Sequence, residues 1–197
     1  MHRLSWWIGL LFAIGAVCFT VGPLPGFVEL VGSAVDAAVF FVGSLFFTTA
    51  AALQLHQSRL WTVDWWSSAI QFAGTLLFNV NTFRALQTGI DDVQYDRLVW
   101  TPDAVGSACF LVSGILAYSL VRGHPRDREW WIAAVNLAGC IAFGISAIAA
   151  YVVPTTGSVV DLAAANLFTA LGGACFFIGA VLLLPRPESE ALPHPAP

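Results

Sequence analysis

Apolar side chains run along this chain in six long stretches, roughly residues 4–21, 31–55, 65–86, 102–121, 130–153 and 160–184, with the polar residues gathered between them. A helix rising 1.5 Å per residue needs about 20 residues to cross a hydrocarbon core of about 30 Å, so each stretch predicts a transmembrane helix. The third stretch is the most polar. Within it Ser68, Gln71, Thr75, Asn79 and Thr82 follow one another at spacings of three, four, four and three, which places all five on one helical face. Lipid is a poor neighbour for such a face, so it is expected to turn inward, toward other helices or a wet cavity.

The odd-numbered stretches repeat one pattern. Trp6-Trp7 is followed by Gly15 and Phe19, Trp65-Trp66 by Gly74 and Phe78, and Trp130-Trp131 by Gly139 and Phe143, a spacing of WWx7Gx3F each time. The even-numbered stretches share a looser Phe-x-[Val/Ile]-small-small-x-[Leu/Phe], read at Phe40 to Phe46, Phe110 to Leu116 and Phe176 to Leu182. Internal repetition of this kind marks an architecture built from copies. The predicted fold is an all-α integral membrane protein of six transmembrane helices in three tandem hairpins, at 1–60, 61–124 and 125–184, related by a pseudo-threefold axis along the membrane normal. Gly22-Pro23-Leu24-Pro25-Gly26 is expected to stop the first helix early. The Pro-rich tail, 185–197, is expected to be a disordered cytoplasmic segment.

Composition agrees with a bilayer as solvent: 58% of residues are hydrophobic, 10% are charged and the mean hydropathy is +0.78. With six spans, Arg3, Arg59, Arg122, Arg126, Arg128 and Arg186 fall on one side. Arg84 and Arg97 share the other with most of the acids, among them Asp91, Asp92 and Asp96 in the 87–101 connection. The positive-inside rule then places both termini in the cytoplasm. His2 and Arg3 before an apolar run resemble a signal peptide, but the run is long and matches two later helices, so it is expected to be a mature span. Each Trp pair lies where a helix leaves the Arg-rich face, the level at which amphipathic rings anchor. Cys18, Cys109, Cys140 and Cys175 all lie in apolar stretches and read as small hydrophobes, with a disulfide open only between helices.

Candidate chemistry centres on the polar face. The residue five beyond each Trp pair is Phe12, Gln71 or Asn136, so two carboxamides share one depth. Gln71, Thr75, Asn79 and Asn136 are the candidate lining of a path, or else interhelical packing contacts. Arg84 lies about 28 Å along its helix from Trp65, near the outer interface, where Asp103 is the expected partner of an outer-mouth ion pair. Asp36, Asp103 and Asp161 each begin a helix and read either as caps or as a ring that recruits cations. There is no HExxH, Walker A, GxSxG or dinucleotide glycine pattern, no intramembrane His pair and no facing pair of deep carboxylates, so neither an enzyme, a metal nor a cofactor is expected.

The segments FFVGSLFF and GACFFIGAVLLLPRP, covering the second helix of a hairpin, resemble the two-helix YrhK-like domains of bacterial membrane proteins. That resemblance implies a multi-pass protein of the bacterial inner membrane. The expected function is a channel or carrier for a small polar solute or ion, or alternatively a non-transporting membrane scaffold or accessory subunit. Membrane lipid, the solute and a homo- or hetero-oligomer are the expected partners, and nucleic acid is not.

Overall fold

The computed structural model describes residues 2–87 and 95–184. The helices are α1 (His2–Val21), the short α2 (Phe27–Val31), α3 (Ser33–Gln57), α4 (Val63–Ala85), α5 (Thr101–Val121), α6 (Arg128–Ala149) and α7 (Leu162–Leu183), with a π-helical turn at Asp96–Trp100. Asp91, Asp92 and the 185–197 tail lie outside the described residues.

Local chemistry sets the ends. Thr62 caps α4 by accepting from Trp65 N at 3.2 Å, and Asp161 Oδ1 caps α7 by accepting from Ala164 N at 2.9 Å. Pro102 opens α5, where a missing N–H costs nothing. Gly32, at φ 83°, turns the chain from α2 into α3 in a conformation side-chain-bearing residues avoid.

Residues 130–153 differ from the expected span. Helix α6 stops at Ala149, and Val152–Val153 (β1) pairs antiparallel with Ser158–Val159 (β2). Pro154 cannot continue a helical hydrogen-bond ladder, and Gly157 at φ 64° closes the turn.

Five helical segments are long and apolar enough to cross a bilayer: Arg3–Val21, Ser33–Gln57, Arg97–Val121, Arg128–Ala149 and Leu162–Leu183. The protein is therefore an all-α membrane protein. The stretch expected at 65–86 corresponds to α4, whose 23 residues match the others in length. Its polar side chains, Gln71, Asn79, Asn81 and Arg84 among them, keep it below the apolarity of those five.

Each long helix packs on the one before it and the one after it, and α7 packs back on α1, so α1, α3, α4, α5, α6 and α7 form a closed ring. Glycines set the approach within each hairpin. A Cβ on Gly15 would lie 2.8 Å from Gly43 O, one on Gly106 3.2 Å from Gly74 O, and one on Gly139 3.2 Å from Gly172 O. Four residues beyond each of these six glycines stands a phenylalanine: Phe19, Phe47, Phe78, Phe110, Phe143 and Phe176. Each ring lies over the glycine of its partner helix, as Phe47 does over Gly15 and Phe143 over Gly172. In these contacts the counterpart of Phe110 and Phe176 is Phe47, one heptad beyond the Phe40 that opens the looser sequence pattern.

All six rings turn to the axis and are 3–5% exposed. Phe19, Phe78 and Phe143 form one triangle, with centroids 6.2, 5.8 and 5.8 Å apart. Phe47 and Phe110 each lie 5.7 Å from Phe176 in a second layer. The layers join within each hairpin, at 5.5, 5.0 and 5.6 Å. The core is thus an aromatic plug across the ring, held by tilted and edge-on pairs worth about 0.5–1.5 kcal/mol each. The outer surface carries Val17, Val42, Leu76, Val112, Ile141 and Val181, all exposed, as a lipid-facing wall requires.

Candidate functional site

At the end of the ring that bears the Trp pairs, a cleft of about 480 Å³ runs inward from the helix ends to the aromatic plug. All six long helices contribute to its wall, and Phe12, Phe110 and Phe176 form its floor. The Trp pairs flank it in near-identical geometry. Each pair is edge-on, with centroids 4.9 Å apart and planes at 84°, 82° and 85°. The outer ring of each pair, Trp7, Trp66 or Trp131, is about half exposed, as an interfacial anchor should be.

The cleft is lined in tiers that follow the Trp spacing. The residue just before each pair, Ser5, Asp64 or Glu129, stands at the mouth. Five residues beyond each pair, Phe12, Gln71 and Asn136 all reach the wall. On the returning helices the residues seven beyond the plug phenylalanines, Gln54, Ala117 and Leu183, line it as well. The two mouth carboxylates begin α4 and α6, where they also complement the helix dipoles. Among the described residues no Lys, Arg or His lines the cleft. Arg128, next to Glu129, is turned to the end of α7, where Nε donates to Leu182 O at 2.7 Å and Nη2 to Leu184 O.

Helix α4 presents its polar face inward, and that face divides. Gln71 opens on the cleft. Ser68, 1% exposed, accepts from Gln54 Nε2 at 3.4 Å, and Thr82, 4% exposed, lies 3.0 Å from Ser44 Oγ across the α3–α4 seam. Thr75 is fully buried and donates to Phe72 O of its own helix at 2.7 Å. Asn79 has a buried Oδ1 without a hydrogen-bond partner and does not line the cleft. Of the four residues assigned to a path, Gln71 and Asn136 thus share the cleft wall, and Thr75 and Asn79 stand away from it. Asn136 has room because its partner is glycine: its carboxamide oxygen occupies the space that a Cβ on Gly179 would need.

At the opposite end, Arg84 Nη1 donates to Gln87 Oε1 at 3.1 Å, and among the described residues it forms no ion pair with Asp103. Of the three helix-starting acids, Asp161 makes a side-chain cap, whereas Asp36 and Asp103 lie in the first turns of α3 and α5 without one. Trp100 Nε1 donates to Ala147 O at 2.7 Å and its ring meets Tyr151 at 4.7 Å, tying the π-helical turn to α6. All four cysteines are free; Cys18, Cys109 and Cys175 each stand over a partner-helix glycine.

Sequence reasoning reached Gln71 and Asn136 but missed the mouth tier and the plug. Both had a signal: Asp64 and Glu129 hold the same place before a Trp pair, and Gly-x3-Phe recurs in the even helices as in the odd ones.

No protein-family model matches this chain. Neither a curated protein nor a solved structure matches it.

Proposed function

We propose that the chain is a six-span carrier or channel of the bacterial inner membrane, held closed by its phenylalanine plug, which takes a small polar solute from the cytoplasmic side. The observation that carries this reading is the cleft of about 480 Å³, within the range of small-ligand sites, with carboxamides from α4 and α6 at one depth. A protein that needed only helix packing would fill this volume with side chains. In this reading α4 is the sixth span, its polar residues sheltered by α3 and α5, and three hairpins surround a pseudo-threefold axis. The Arg distribution supports cytoplasmic termini, and hence a cytoplasmic cleft mouth. The resemblance to YrhK-like domains supports the inner membrane as the location.

A second reading has one observation in its favour. The two Phe layers fill the axis, as they would in a non-transporting scaffold or accessory subunit. Flux through proteoliposomes, over a panel of ions and small polar solutes, separates the two. Transport that is lost in Gln71→Leu and Asn136→Leu, with thermal unfolding unchanged, is expected of the carrier. Absence of flux for every solute, with both variants folded, would move the assignment to the scaffold. Reporter fusions after residues 60 and 125 test orientation, and periplasmic activity at either position contradicts it.

A further inference from the structure

The tiers of the cleft are not chemically equal around the ring, and the inequality describes a ligand. Helices α4 and α6 stand on either side of α5 and carry the same ladder, a carboxylate at the mouth and a carboxamide seven residues deeper: Asp64 above Gln71, Glu129 above Asn136. Seven residues are two helical turns, so within each ladder the groups share a face and lie about 10 Å apart in depth. Helix α1, across the ring from α5, offers Ile8 and Phe12 along the same depth, with Ser5 at the mouth. The α4 and α6 walls of the cleft are therefore anionic above and hydrogen-bonding below, and the α1 wall is apolar below Ser5, with the neutral polar Gln54, Gln57 and Ser58 at the end of α3 between α1 and α4.

Helix dipoles do not offset this. Three helix N-termini (α1, α4, α6) and three C-termini (α3, α5, α7) end around the mouth, so their partial charges largely cancel. No basic side chain among the described residues reaches the wall, and Arg128 is engaged by the α7 carbonyls. The charge facing the cleft is that of Asp64 and Glu129.

We infer that the cleft binds an amphipathic organic cation, its ammonium or guanidinium head between Asp64 and Glu129, its apolar body along Ile8 and Phe12, and a polar group reaching Gln71 and Asn136. This rests on the solute-binding reading above and narrows its substrate class. A simple metal ion would leave the apolar wall and the deep carboxamides unused. An anion would meet two carboxylates at the mouth. Aromatic edges and faces at Phe12, Phe110 and Phe176 suit a planar body, and a ring face would also attract positive charge.

Tyramine is a probe with all three features. Its charge-reversed relative is 3-(4-hydroxyphenyl)propionate, and 4-ethylphenol keeps the ring and hydroxyl without the charge. Binding of each to the full-length chain in detergent is measured by isothermal titration calorimetry at neutral pH, for the native protein and for Asp64→Asn combined with Glu129→Gln. Both acids are exposed, so the double variant should fold, and thermal unfolding checks that it does. Tyramine is expected to bind the native chain, to weaken by about tenfold in the double variant as two partly solvated ion pairs are lost, and to outcompete the propionate. Equal binding of tyramine and 4-ethylphenol, with dependence on Gln71 but not on the acids, would overturn the cation assignment and leave the solute cleft standing. Binding of the propionate in preference to tyramine, or of none of the probes, also overturns it. Proteoliposome flux reports on the parent reading independently.

Discussion

Phe143 is the side chain on which the plug most depends, and its truncation gives the sharpest test of the plug's packing. Its ring meets Phe19 and Phe78 at 5.8 Å, Phe176 at 5.6 Å and Phe110 at 6.4 Å, and the residue is 5% exposed. Phe143→Ala removes roughly 100 Å³ of side chain, and at about 24 cal/mol per Å³ an unrelaxed cavity costs about 2.4 kcal/mol. Four aromatic pairs add at least about 2 kcal/mol at the low end of their range. The transfer term that enlarges such losses in water is small here, since the unfolded chain in a bilayer is surrounded by lipid. A loss of about 3–5 kcal/mol is therefore expected. The comparison is Phe41→Ala, half-buried, whose ring meets only Phe83, at 5.7 Å, among the described aromatic pairs. That change should cost about 1 kcal/mol. Reversible unfolding in mixed micelles, followed by tryptophan fluorescence, measures both. If Phe143→Ala costs no more than Phe41→Ala, the aromatic plug is not the stabilising core.

Three further outcomes are expected in the same assay. Gly15→Ala places its Cβ 2.8 Å from a backbone oxygen of α3 and should lose about 2 kcal/mol or more, whereas Gly144→Ala, with nothing within 4 Å, should be neutral or gain up to about 1 kcal/mol. A double-mutant cycle on Ser44→Ala and Thr82→Val should give a coupling of about 0.6 kcal/mol, the mean for interhelical hydrogen bonds in membranes; a value near zero would mean that each hydroxyl is content with its own helix carbonyl. Arg126, at φ 77°, should be improved by Arg126→Gly by about 1 kcal/mol, and a loss would indicate that its side chain contributes more than its backbone costs.

What was legible in the residues was whatever depends on period and solvent. Runs of apolar side chains about 20 long need a bilayer, and the helices begin and end within a few residues of where those runs do. The exception, 150–153, reads as apolar in composition, but Pro154 and Gly157 turn it into a hairpin, a backbone effect that hydropathy does not register. The inward turn of the α4 face was equally legible, because lipid excludes Ser68, Thr75 and Thr82 alike. Which of its residues meet a cavity was not. Gln71 and Asn79 lie on one face eight residues apart, yet Asn79 follows Phe78 and so lies at the level of the plug, past the floor of the cleft, and the plug exists only because six helices close into a ring. The same holds for the mouth: Asp64 and Glu129 are ordinary first-turn acids along the chain, and ring closure sets them around one opening. Spacing along a helix determines direction, since 3.6 residues make a turn whatever surrounds it. Whether that direction ends in space, in an aromatic ring or in a neighbouring hydroxyl depends on the glycine-mediated approach of other helices, which tertiary packing alone decided.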